Sequence, residues 1–207
     1  MDQLVFKFPF SKKYYEQDFF VSSNNFSAYK LIESWPTWPG KWLNIFGAHG
    51  SGKTHLAKIL ERKISKTKLI DAKHIDNNVI QDLANIDCLI IDSFENNIDE
   101  KLFYSILNQS KQFDNYILIN SISSIKNVKF KLDDLQSRIN SFIFFGIELP
   151  TDDLLKVIIS KSLSEKQISI DPRISNYIIN NVERSYEKMF KFLKDVDELS
   201  LSTGKSI

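Results

Sequence analysis

The 207-residue chain has a single cysteine, Cys88, so no internal disulfide braces it, and a lone thiol suits a reducing compartment. It has no apolar run approaching the ~18 residues of a membrane span. Lys7 and Pro9 break what would be the apolar core of a leader peptide in Met1–Phe10. An excess of one charge is also missing. Lys and Arg total 27 and Asp and Glu 26, for a net charge of +1, which argues against broad electrostatic coating of nucleic acid or membrane. Direct DNA contact is therefore expected to be weak or absent. Arginine is scarce: Arg62, Arg138, Arg173 and Arg184 are the only four among those 27 basic residues. In a composition drifted toward Lys, Ile and Asn, a retained arginine is worth locating, because lysine copies its planar fork poorly. Apolar residues are plentiful, at 43% with 16 Phe, enough to build a core.

Periodicity divides the chain into three parts. Residues 1–13 alternate Leu4, Phe6, Phe8 and Phe10 and read as an edge strand or an extended peptide. Residues 14–149 alternate strands with helices. Helical spacing over 24–34 ends at Trp35-Pro36, and Trp42–Phe46, Lys68–Asp71, Asp87–Ile91, Tyr116–Ile119 and Phe142–Phe145 read as strands. This alternation predicts an α/β domain with a five-stranded parallel sheet. Residues 150–207 turn helical: Thr151 caps a run with Leu154, Leu155 and Ile158, Asp171-Pro172 opens a second helix, and Tyr186 and Met189 lie on a third.

Gly47-Ala48-His49-Gly50-Ser51-Gly52-Lys53-Thr54 matches G-x-x-x-x-G-K-[ST] between a strand and a helix. Glycines let successive backbone N–H groups turn inward around a phosphate, Lys53 offers positive charge, and Thr54 offers a hydroxyl to Mg²⁺. The helix N-terminus adds its dipole. His49 and His55 flank the loop as solvent or packing residues. Cys88–Asp92 is an apolar strand delivering a carboxylate at its end, as Mg²⁺ beside a phosphate loop requires. The next residue is Ser93, where related ATPases place an acid that polarises water, so weak intrinsic hydrolysis is expected.

Taken together, these stretches resemble the DnaA-related AAA+ replication-initiation proteins, and among them the Hda-like regulators. Gly47–Leu56 is similar to their phosphate loop. Phe19-Phe20-Val21-Ser22 with Asn25 resembles the segment lying against adenine, which implies roles for Phe20, Val21 and Asn25 in holding ADP or ATP. Leu132–Ile139 resembles their L-P-D-L-x-S-R-L stretch, whose arginine acts in trans on a neighbour's nucleotide, here Arg138. Val182-Glu183-Arg184-Ser185 resembles the lid motif whose arginine contacts the bound phosphates. Gln3, Leu4, Phe6 and Phe8 resemble the peptide that docks on the sliding clamp, the polymerase beta subunit. The resemblance implies an AAA+ P-loop NTPase core with a small all-helical lid domain. It also implies DnaA and the clamp as partners, with homo-oligomers possible, and a cytoplasmic, nucleoid-associated location. Arg62 and Arg173 read as surface charges. The polar sensor residue expected after the fourth strand falls, by counting back from Arg138, on Ile122, with Asn120 the nearest polar side chain. An autonomous ATPase such as a helicase loader, and a nucleotide-dependent scaffold without hydrolysis, are the alternatives.

Overall fold

The computed structural model describes residues 14–165, 168 and 170–203. These fall into two compact units: residues 14–48 with 52–148, and residues 149–203 with the loop tip His49–Ser51.

The first unit is a three-layer sandwich. Five parallel strands, β1 (Trp42–Gly47), β2 (Thr67–Asp71), β3 (Cys88–Phe94), β4 (Tyr116–Ser121) and β5 (Ile143–Ile147), run in the order β2-β3-β4-β1-β5. Pleating sends alternate side chains to opposite faces, so both faces of this sheet are apolar. Leu43, Ile45, Ile90 and Leu118 pack on one face against α1 (Phe26–Glu33) and α2 (Lys53–Lys63). Trp42, Leu89, Ile91 and Ile117 pack on the other against α3 (Asn78–Asp82), α4 (Glu100–Gln112) and α5 (Asp133–Ile139). The residues α2 buries, Leu56, Ala57, Ile59 and Leu60, share one helical face. Asp99 caps α4, accepting from the Lys101 and Leu102 N–H groups.

One residue inside this apolar sheet is polar. Asn44 in β1 is fully buried. Its Nδ2 donates to the Ile119 carbonyl at 3.0 Å and to Ser121 Oγ at 2.9 Å, and its Oδ1 accepts from the Ile125 N–H at 3.0 Å. It therefore fastens β1 to the turn that follows β4, with the hydrogen bonding its burial demands.

The second unit contains α6 (Asp152–Ser164), α7 (Pro172–Asn181) and α8 (Tyr186–Thr203) around Leu155, Ile159, Ile178, Met189 and Leu193. Thr151 Oγ1 accepts from the Leu154 N–H, so the cap read from the sequence is formed, and Asp171 accepts from the Arg173 N–H at the start of the helix that Asp171-Pro172 opens. Among the described residues no helix is long and apolar enough to cross a membrane.

Strand ends differ from the sequence reading by one to a few residues: the first runs on to Gly47, the second begins at Thr67 and the fourth runs on to Ser121. The third strand continues past Ile91 to Phe94 through a register irregularity, with Ser93 in the left-handed region at φ 57°. The fifth strand begins one residue later than expected and extends to Ile147. The short helix α3 has too few residues to show a period and was not expected from the sequence.

Candidate nucleotide site

All parallel strands point their C-terminal ends the same way, and in such sheets those ends carry the ligand crevice. β1 ends at Gly47 and α2 begins at Lys53, so the intervening loop sits at that edge. Gly50 and Gly52 have φ of 78° and 95°, a conformation that glycine adopts at no steric cost. A Cβ at Gly52 would also come within 2.8 Å of Phe19 Cε2. Lys53 Nζ donates to the carbonyls of Gly47 at 2.7 Å and Ala48 at 2.9 Å. Burial lowers its pKa from the ordinary lysine value, partly offset by Asp92.

Asp92 lies at the same edge on β3. Thr54 Oγ1 donates to its Oδ2 at 2.8 Å, and Asn120 Nδ2 donates to its Oδ1 at 2.9 Å and to the Lys53 carbonyl at 3.0 Å. A hydroxyl and a carboxylate side by side are hard oxygen donors, the set Mg²⁺ takes together with phosphate oxygens and water. Asn120 is fully buried and its Oδ1 has no partner among the described residues, a polar atom left over for a ligand or water. Ile122, the position reached by counting, lies just past the end of β4 and is 48% exposed. The polar residue against the carboxylate is thus Asn120. The count failed because the loop between β4 and α5 is irregular, whereas the strand register places Asn120 opposite Ile45.

Other residues singled out by sequence are engaged elsewhere. Asn25 is buried, donating to the Phe20 carbonyl at 2.9 Å and accepting from the Ser22 N–H at 2.9 Å. Its amide therefore shapes the Phe20–Ser22 segment, while the Phe20 side chain is 45% exposed. His49 is exposed. His55 sits 2.6 Å from the Tyr15 carbonyl and stacks edge-on against Phe19 and Tyr14. Among the described residues Arg62 makes no salt bridge. It hydrogen-bonds the Tyr14 carbonyl and lies over the Tyr15 ring, 5.3 Å from its centroid. Together with His55 it clasps the Tyr14–Tyr15 backbone onto α2. Arg173 is 92% exposed beside Asp171, a surface charge as read. In the helical unit, Arg184 precedes α8 and donates to Asp152 Oδ2 at 3.0 Å. Gln3, Leu4, Phe6 and Phe8 lie outside the described residues.

Arg138 is at the opposite edge of the sheet from Lys53. It lines a groove with Trp42, the first residue of β1, and Asn115, just before β4. Five residue steps separate Trp42 from Gly47, about 17 Å of strand. Leu135 and Ile139 are buried beneath the same helix, which leaves Arg138 half-buried on its flank. Its Nε donates to Asn108 Oδ1 at 2.9 Å, and no other partner is found among the described residues. Its own phosphate loop is beyond the reach of that side chain.

No protein-family model matches the chain. The chromosomal replication initiator protein DnaA of Chlorobaculum tepidum is 28% identical over 170 residues, covering 71% of this chain and 34% of that protein. The chain thus spans about a third of that relative's length. Domain III of the Thermotoga maritima replication initiation protein DnaA superposes with a TM-score of 0.77 at 20% identity, covering 97% of this chain and 94% of that one. AMPPCP-bound DnaA from Aquifex aeolicus superposes at 0.71 with 21% identity, over 90% of this chain and 65% of that one. The chain is thus similar in sequence to DnaA over 170 residues and shares the fold of DnaA domain III.

Proposed function

We propose that the chain is a nucleotide-binding regulator of replication initiation, of the Hda-like kind. It binds ADP or ATP at Gly47–Thr54, docks on the sliding clamp through Gln3, Leu4, Phe6 and Phe8, and offers Arg138 to ATP held by DnaA. Hydrolysis then converts the initiator to its ADP form and prevents over-initiation. The observation that carries this reading is the position of Arg138. Its guanidinium is held at the edge of the sheet remote from its own phosphate loop, and among the described residues its only hydrogen bond is made by Nε, to Asn108. Such a group can serve a neighbour's nucleotide and not its own. Its N–H donors match the oxygens on which charge spreads as the phosphoryl bond breaks, and an arginine supplied in this way accelerates other NTPases by ~10³–10⁵.

Within the chain's own site, Lys53 binds the terminal phosphates and the glycine loop wraps them with N–H groups. Thr54 and Asp92 are the residues that would hold Mg²⁺, with Asn120 fixing the second carboxylate oxygen. When bound, the ion neutralises phosphate charge. The decisive experiment measures initiator ATP turnover with clamp-loaded DNA, comparing native protein with Arg138→Ala. Loss of stimulation with unchanged ADP affinity is expected, and equal stimulation would overturn the proposal. Arg184→Ala is expected to do the reverse and weaken nucleotide binding.

The Asn120–Asp92–Thr54 arrangement favours a second reading, an autonomous ATPase such as a helicase loader. Strong turnover by the isolated protein, abolished by Asp92→Asn, would select it over the regulator.

A further inference from the structure

The hydrogen bond between Arg138 and Asn108 restricts how the arginine can meet a ligand. A guanidinium can hold an oxyanion with two parallel bonds along either of two edges, the Nε/Nη edge or the Nη1/Nη2 edge. Asn108 Oδ1 accepts the Nε hydrogen at 2.9 Å and so occupies the first edge. The second makes no hydrogen bond or ion pair among the described residues. Asn108 is itself well anchored, because its neighbours Ile106, Leu107 and Ser110 are buried and fix the rotation of α4. The groove of about 190 Å³ lined by Arg138 also contains Lys41, Lys111 and Asp114. Lys41 is paired with Asp114, and Lys111 and Arg138 are its positive charges that make no ion pair among the described residues.

We propose that Asn108 is a positioning residue that locks Arg138 so that only its Nη1/Nη2 edge meets a phosphate oxyanion on a partner's bound nucleoside triphosphate. The inference rests on the trans role of Arg138 proposed above. An arginine already fixed gives up little side-chain freedom when it binds, and its fork is aligned before the partner arrives.

Arginine scarcity makes this testable without a partner. Four arginines give four Nε–Hε correlations in a ¹⁵N spectrum of the full chain, and Arg138→Lys identifies the signal to follow. That hydrogen is expected to exchange slowly in the native protein and in Asn108→Asp, and as fast as that of the exposed Arg173 in Asn108→Ala. In the turnover assay, Asn108→Ala is expected to lower maximal stimulation about tenfold while the half-saturating concentration stays within about twofold. Asn108→Asp restores most of the maximum. Thermal unfolding checks the fold, and Asn108→Gln, which displaces the carbonyl by one methylene, gives the same readout if the alanine variant unfolds. An unchanged Arg138 Nε signal in Asn108→Ala overturns the inference. So does full stimulation by Asn108→Ala when Arg138→Ala has lost it. Full stimulation by Arg138→Ala overturns the regulator reading itself.

Discussion

Replacing Asn44 by aspartate tests whether the buried amide holds β1 to the turn after β4. The substitution exchanges the Nδ2 donor, 3.0 Å from the Ile119 carbonyl, for an oxygen. Ionised, that oxygen would face the carbonyl lone pairs, inside a site with no solvent access. Protonated, the new carboxyl can donate to one of the amide's two acceptors, the Ile119 carbonyl, and leaves Ser121 Oγ without that donor. The folded protein therefore keeps the proton and the carboxyl pKa rises above its ordinary value near 4. The unfolded chain releases that proton above pH ~4, so folding binds it and stability falls as pH rises. Each pH unit between the two pKa values costs about 1.4 kcal/mol, or about 2.7 kcal/mol from pH 5 to pH 7. Asn44→Ala strands the Ile125 N–H, with an expected loss of roughly 2–4 kcal/mol at either pH. Urea unfolding at pH 5 and pH 7, followed by tryptophan fluorescence, measures both. Domains of this kind hold ~5–15 kcal/mol in total, so the aspartate variant is expected to be marginal at pH 7. An aspartate variant displaced from wild type by the same amount at both pH values would refute the reasoning.

Gly52→Ala is expected to cost roughly 1–3 kcal/mol and to weaken ADP binding in calorimetry, because φ of 95° and the Phe19 ring both oppose a Cβ. Arg62→Ala should shift the unfolding midpoint little but speed proteolytic cleavage near Tyr14–Tyr15, since it removes one arm of the clasp on α2; an unchanged cleavage pattern would count against that role. Cys88 should resist thiol reagents in the native protein and react at once in denaturant, because burial pushes its thiol pKa up and closes access; rapid native labelling would show β3 opening.

The features legible in the sequence were those whose cause is local. The phosphate loop shows in its glycines, the cap of α6 in Thr151, and α2 in the spacing of Leu56 and Leu60. The hidden ones depend on partners far along the chain. Asn44 meets residues 75–81 positions away, Asn120 meets Asp92 28 positions back, and Arg62 finds Tyr14 48 positions back. No periodicity reports such pairings, and each involves Asn or Arg, which composition alone leaves as surface residues. Strand order was hidden for the same reason: β1 pairs with β4 and β5, not with its neighbour in sequence.

The backbone at Ser93 bears on where an acid placed at this position would point. Asp92 and Phe94 are both buried, and Ser93 is turned outward between them at φ 57°. Serine, like any residue with a Cβ, carries a penalty of roughly 1 kcal/mol for the left-handed conformation. Substitution to glutamate would supply a carboxylate on that same strained backbone. An acid introduced here would be carried outward from the bulge rather than buried beside Asp92.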